Sequence, residues 1–391
     1  MDIFSSLYRI SVYGWIIVGL YFLFFIIQLF YYLYLFRKPY QHATKGDESD
    51  DDSTNSEKKL PGISIIITAK DEAENLRKNL PSILNQDYSN YEVVVVDNGS
   101  TDSTSDVLNG FKQSYPNLYT TYIPVESEKV NSKKLALTIG IKAAKHDILL
   151  FTEPDTKPFT RKWVYEYSRA FSKDKDIVLG ACQIEMNKSF SNKFILFDNL
   201  FFGVKYLSFA LINKPYMGVG RNMAFRKKLF FDNKGFSSIL NIEDGEDNVF
   251  INKIVTKENT AVIISEESMT VSNVINRFST WRSAKTKYLT TQKYLTSNAT
   301  SILAFEEFSR YSFYSLFIIL SVIGVLSSVY SLLFFAILLF LIRYSVQSII
   351  INKNSKLYNA GRFYFTLPLF DLLAPFVNHM FLNYEAKRDR K

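Results

Sequence analysis

Residues 149–158 read LLFTEPDTKP, an apolar run that surfaces directly into Glu153 and Asp155 with only Pro154 between them. Two carboxylates that close repel, and they stay ionised together only where positive charge accompanies them. A bound cation is one source of such charge. Asp97 stands in the same setting, at the end of the apolar run YEVVVVD, and a third acidic group, EDGED, covers 243–247. No GxGxxG or GxxxxGK[ST] motif follows these runs, so a nucleotide bound among them needs its diphosphate neutralised by other means. Mg2+ or Mn2+ takes oxygen ligands from one or two carboxylates plus phosphate, which is the chemistry these residues offer. Alone, Glu153 and Asp155 read more simply as loop acids capping a helix near Thr160, and EDGED as a solvated helix start. His42, His146 and His379 have no ligand-like spacing, which argues against zinc.

The elements that must position these groups are legible around them. ISIIITA (63–69) and YEVVVVD (91–97) are rich in Ile and Val without alternation, the pattern of parallel strands covered on both faces. Between them Leu76, Leu80, Ile83 and Leu84 fall at helical spacing, giving a βαβ unit. A helix around Leu135 to Ala144 and the strand HDILLFTE add a third unit. In open α/β sheets ligands bind beyond the carboxyl ends of the strands, where Asp97, Glu153 and Asp155 all stand.

The chain has 391 residues, with 34 Phe and 25 Tyr, an aromatic share that points to contact with lipid. Much of its net charge of +8 flanks apolar segments, so a membrane is expected as partner and nucleic acid is not. Cys182 is the single cysteine, which excludes an internal disulfide framework. Residues 10–36 are longer than the roughly 20 needed to cross a bilayer and lack the features of a signal peptide. Arg37 and Lys38 follow, which puts the next segment in the cytoplasm. The expected order is a transmembrane anchor (1–38), an acidic flexible linker (39–60), an α/β domain (61–300) and a C-terminal membrane region (301–391). The last comprises a hairpin of two spans over 311–351, with Arg343 snorkelling near its end, and an interfacial or re-entrant helix over 363–382. Residues 193–213, with Asp198 and Lys205 on one face, read as an interfacial helix beside the active site.

The stretches SIIITAKDEAENL, VVVVDNGSTDST, KKLALTIGIKAAKHDILLFTEPDTKP, GVGRNMAFRK and GEDNVFINK, in that order, resemble a membrane-bound family-2 glycosyltransferase with a GT-A catalytic domain over about 61–290. The resemblance implies that Asp97 recognises the donor base, with Asp102 as the second acid of its motif, Glu72 near the nucleotide and Lys133 near the donor. TEPD matches the family's DxD, so Asp155 is implied as metal ligand, with Glu153, standing where the family has Asp, as a second candidate ligand. Glu246-Asp247 matches the ED pair, which implies Asp247 as general base, and Asp244 is a decoy or a helper. The family's QxxRW motif corresponds to TWRSAKTKYL, with Trp281, Lys285 and Lys287 but no glutamine.

The function so implied is inverting, Mg2+- or Mn2+-dependent transfer of a sugar from a nucleotide-sugar donor, expected to be a UDP-sugar. The acceptor is a hydroxyl of a lipid-linked or glycan molecule, and the location the cell (inner) membrane, with the catalytic domain cytoplasmic. Processive polysaccharide synthesis and a catalytically silent membrane scaffold or sensor are the alternatives.

Overall fold

The computed structural model describes residues 12–49, 60–124, 132–171, 175–187, 189–275 and 277–388. Its centre is a seven-stranded sheet in the order β3-β2-β1-β4-β8-β6-β9, formed by β1 (Ile63–Ala69), β2 (Tyr91–Asp97), β3 (Leu118–Tyr122), β4 (Ile148–Phe151), β6 (Ile177–Leu179), β8 (Met223–Arg226) and β9 (Thr260–Val262). Strand β1 pairs in parallel with β2 (Ile63 opposite Tyr91) and with β4 (Ile63 opposite Ile148), while β8 runs antiparallel to both β4 and β6. A second sheet joins β5 (Thr156–Pro158), β10 (Thr270–Ser272) and β7 (Cys182–Ile184).

The unbroken Ile/Val runs are explained by layers on both faces. Successive side chains of a strand point to opposite sides. Ile63, Ile65 and Ile67 join Leu76, Leu80 and Ile83 of α3 (Ala73–Leu84) in one core, and Ile66, Val94 and Val96 join Leu137 and Ile141 of α5 (Ser132–Ala143) in the other. That second core continues without a break into α7 (Phe190–Leu211), whose first turn is capped by Ser189 Oγ accepting from the Asn192 amide at 3.1 Å. Two thirds of its most apolar stretch is buried inside the protein. The helix is therefore a core element beside the site, rather than the membrane-surface helix expected over 193–213.

Among the described residues, four helical stretches are long and apolar enough to cross a membrane: Val12–Thr44, Phe190–Leu211, Asn298–Leu326 and Tyr330–Leu357. Besides α7, these are α1 (Val12–Phe30), which continues as a π-helical turn (Tyr31–Phe36) and then α2 (Lys38–Ser49), together with α11 (Asn298–Leu326) and α12 (Tyr330–Leu357). Residues 38–49 are thus helical where the sequence pointed to flexible linker, and 50–59 lie outside the described residues. The α11/α12 pair also begins earlier and ends later than 311–351.

Arg343 does not snorkel. It is 1% exposed, donating to Gln28 Oε1 at 2.8 Å, Gln347 Oε1 at 3.0 Å and Asp371 Oδ2 at 3.0 Å. Asp371 also accepts from Arg310 at 2.8 Å and from Tyr314 at 3.0 Å. It thereby fastens α13 (Leu367–Arg388) to the apolar helices, its own charge met within protein. Asp371→Ala leaves the buried Arg343 guanidinium uncompensated and Arg310 with Glu306 alone, and is expected to cost about 3–5 kcal/mol. Thermal unfolding in detergent checks this, with Glu258→Ala at an exposed pair expected to unfold like wild type.

Candidate active site

The rim at the carboxyl ends of β1 and β2 is built by two loops that hold each other. After β1, Asp71 adopts φ 55° and its Oδ1 accepts from the Thr101 amide at 2.7 Å, which ties the β1–α3 loop to the turn after β2. In that turn Asp97, 4% exposed, accepts from the Ser100 amide at 3.0 Å and from Ser105 Oγ at 2.5 Å. Asp102 accepts from Thr104 Oγ1 at 2.5 Å and from the Ala73 amide at 3.2 Å, so it staples the start of α3. The hydrogen bonds from Thr104 hold its carboxyl below the ordinary aspartate value. Glu72 shifts the other way. Burial raises its pKa, and the neighbouring charges of Asp155 and Glu153 add to the rise. Helix α3 also fixes the TEPD turn, since Asn79 donates to the Pro154 carbonyl at 2.9 Å.

The charge that accompanies Glu153 and Asp155 comes from the chain itself. Arg221 Nε lies 2.8 Å from Glu153 Oε2 and its Nη2 lies 3.6 Å from Asp155 Oδ2, while Lys133 Nζ lies 3.2 Å from Glu153 Oε1 and 2.7 Å from Glu246 Oε1. Asp155, Arg221, Glu153, Lys133 and Glu246 therefore form one row of alternating charge. Burial alone would raise the pKa of Glu153, but Lys133 and Arg221 outweigh it and hold the carboxylate ionised. Lys134 is 1% exposed and donates to the carbonyls of Ile242 and Asp244 at 2.5 and 3.2 Å.

Lys134 thus anchors the loop that presents Asp247. The turn needs Gly245, at φ +95°, because a Cβ there would stand 2.7 Å from Val249. Asp247 caps α9 (Asn248–Ile254), its Oδ1 accepting from the Asn248 amide at 2.6 Å. Its Oδ2 accepts from the Gly220 amide at 3.0 Å and from the Tyr288 hydroxyl at 2.9 Å. Burial raises the pKa of Asp247, and the charge of Glu246 raises it further. Asp244 stands at the margin, 3.8 Å from Lys287. Trp281 and Lys285 do not reach the row of charge: both bind Asp198 of α7, the Trp281 indole at 3.3 Å.

Two residues of the site carry no role in the sequence reading, Arg221 and Tyr288. Each lies within a stretch singled out there, GVGRNMAFRK and TWRSAKTKYL, but its partner is 68 or 41 residues away. A cavity of about 640 Å3 adjoins them, lined by Arg221, Tyr288, Trp281 and Lys205 and by residues of α11 and α13.

For a metal ion the fit is narrow. Among the described residues no group of three or more His, Cys, Asp or Glu side chains is gathered to hold one. Both oxygens of Glu153 are engaged by cations, which counts against it as a ligand. Asp155 has one oxygen on Thr156 at 2.8 Å and the other only 3.6 Å from Arg221, and its side chain is a third exposed. It suits a cation completed by phosphate oxygens.

Residues 64–232 match the model of glycosyl transferase family 2. Over 107 residues the chain is 39% identical to glycosyltransferase AglE of Haloferax volcanii, covering 27% of this chain and 34% of that one. It is 24% identical over 134 residues to the poly-beta-1,6-N-acetyl-D-glucosamine synthase of Staphylococcus epidermidis, covering 34% of this chain and 30% of that one. The matched stretch thus spans about a third of each relative. The mannosyltransferase PcManGT from Pyrobaculum calidifontis, solved with GDP-Man and Mn2+, superposes with TM-score 0.54 at 18% identity, covering 86% of this chain and 96% of that one. That likeness is one of fold, and it agrees with a GT-A domain whose mostly parallel sheet is flanked by helices. Within the chain, residues 64–232, which carry the first four of the five motifs, form a glycosyl transferase family 2 domain.

Proposed function

We propose that the protein is an inverting, metal-dependent glycosyltransferase that moves a sugar from a nucleotide-sugar donor, a UDP-sugar, to a hydroxyl of a membrane lipid or glycan acceptor. The observation that carries this reading is Asp247, a buried carboxylate with a raised pKa facing the cavity through Tyr288. Asp247 Oδ2 exchanges its hydrogen bond from Tyr288 for one from the acceptor hydroxyl and takes that proton. The acceptor oxygen attacks the anomeric carbon opposite the diphosphate, and the breaking C–O bond leaves its electron pair on the diphosphate. Arg221 and Lys133 set positive charge beside the leaving group, while Asp97, Asp102 and Glu72 hold the donor-side loops in shape. Asp155, together with donor phosphate oxygens, would hold Mg2+ or Mn2+, which when bound supplies further positive charge to the leaving diphosphate. A positioned base contributes about 10²–10⁴ in rate. The S. epidermidis relative is named for polymer synthesis, so processive extension is the second reading, and product length separates the two.

The helices α1, α11 and α12 act as spans in this reading, and the α/β domain lies on the cytoplasmic side of the cell membrane. Arg37 and Lys38 follow the first helix, and Lys353 and Lys356 end the last, so all four basic residues share one side. Helix α13, clamped by Asp371, stays on that side.

Asp247→Asn is expected to lower transfer at least about a hundredfold with donor affinity retained, as read by steady-state kinetics and nucleotide binding. Transfer should fall with decreasing pH from above the ordinary aspartate range, because the raised pKa of Asp247 protonates the base early. Tyr288→Phe removes a hydrogen bond that favours the ionised carboxylate, so the acid limb of the kcat/KM profile should move to higher pH.

Asp155→Ala is expected to weaken UDP binding in the presence of Mn2+ and to leave metal-free binding nearly unchanged. Calorimetric titration with and without chelator reads this directly, and equal affinities in the wild type would end the metal assignment. For topology, single cysteines at Ser327 and Lys387 in a Cys182→Ser background should differ, with Ser327→Cys labelled by an impermeant thiol reagent on intact cells and Lys387→Cys only after lysis.

A further inference from the structure

Helix α10 (Phe278–Thr291) carries the Tyr288 hydroxyl to Asp247, and a carboxylate of the neighbouring core helix holds α10 in place. Asp198 of α7 has a side chain only 16% exposed, and both of its oxygens are used on α10. Oδ1 pairs with the Lys285 ammonium, and Oδ2 accepts from the Trp281 indole at 3.3 Å. Withdrawing a carboxylate from water is costly unless a cation and hydrogen-bond donors meet it, and here both come from one helix. Lys285 also lies over the Trp281 ring, 5.4 Å from its centroid, so the three side chains form one unit.

That unit is the middle of a longer strip. Phe194, Asp198 and Phe202 recur at four-residue spacing and share a face of α7, as Trp281, Lys285 and Tyr288 share a face of α10. Phe194 meets Trp281 edge-on with ring centroids 5.5 Å apart, and Phe202 meets Tyr288 at 5.0 Å. Beyond Tyr288 the helix is tied to the base's own loop, since Asn248, next to Asp247, donates to Thr291 Oγ1 at 2.7 Å. Tyr288 therefore sits between two polar anchors, Lys285 on Asp198 a turn before it and Thr291 on Asn248 a turn after. Burial raises the pKa of Tyr288, so its hydroxyl stays a donor.

We propose that Asp198 is a positioning residue for the transfer: through Lys285 and Trp281 it fixes α10, and so keeps the Tyr288 hydroxyl 2.9 Å from Asp247 Oδ2, where it favours the ionised base. The assignment rests on Asp247 being the base. Without Asp198, α10 keeps the ring contacts and the Thr291 tie, and a displacement of about 1 Å is enough to break a hydrogen bond of that length. Charge and position then move the acid limb of the pH profile in opposite directions. Glu246 and Lys133 act on Asp247, Glu153 and Arg221 on Tyr288, Lys205 on Lys285, and Lys287 faces Asp244 at 3.8 Å. Against that background, removing the negative charge of Asp198 by itself lowers the pKa of Asp247, whereas losing the Tyr288 hydrogen bond raises it.

Transfer by the purified full-length protein in detergent is followed as radiolabel moved into a membrane extract from UDP-glucose, UDP-galactose or UDP-N-acetylglucosamine, whichever the wild type uses. Asp198→Ala is expected to move the acid limb of kcat/KM up by about one pH unit, the size of a lost hydrogen bond to a charged group. It should also lower kcat about tenfold, with UDP affinity unchanged. In Tyr288→Phe protein the same substitution should add no further upward shift. Asp198→Asn, which is isosteric and can still accept from Trp281, should shift the limb the same way by less, and it replaces the alanine variant if that does not fold. An unmoved or lowered limb in the folded variant, or an upward shift that adds in full to that of Tyr288→Phe, would overturn the role of Asp198. If Tyr288→Phe itself leaves the limb in place, or the wild type uses none of the three donors, the reading of the reaction fails and the role of Asp198 falls with it.

Discussion

The constraint on which the site depends is the balance of charge where the strands end. A sheet covered on both faces brings its carboxyl-end loops together, and those loops carry Asp155, Glu153 and Glu246 within reach of one another. Uncompensated, such carboxylates would protonate or push the loops apart. Arg221 and Lys133, each spanning two acids, turn repulsion into a row of alternating sign. Asp247 sits just beyond the end of that row. It keeps a raised pKa because burial surrounds it and Glu246 stands beside it, and that is the property a proton acceptor needs.

The same logic recurs in the helical region with a different outcome. Asp371 is shared by Arg310 and Arg343, and Arg343 also donates to Gln28 and Gln347. Residues from α1, α11, α12 and α13 meet there, so these helices are held in register by polar contacts as well as by stacked rings such as Tyr21 on Phe313. Because α11 and α13 also wall the large cavity, the position of these helices sets the shape of the space in front of the base.

How much was legible in the sequence follows from the range of each interaction. The Ile/Val runs and the helical spacing of Leu76, Leu80 and Ile83 are local signals, and the strands and helices formed where they point. The rim carboxylates were legible because a strand end is a local feature with a known consequence. Arg221 and Tyr288 were not, since nothing near either residue says which acid it meets. Arg343 was misjudged for the same reason: in an apolar helix a lone arginine looks destined for the interface until Asp371, 28 residues on, is known to face it.

In the proposed reaction a single displacement transfers the sugar, with Asp247 deprotonating an acceptor that approaches opposite the diphosphate. The anomeric configuration of the product is the decisive observable. With an α-linked nucleotide sugar as donor, the product isolated after one transfer and examined by proton NMR should carry the β-linkage. A product that retains the α-linkage would contradict the displacement and with it the role given to Asp247.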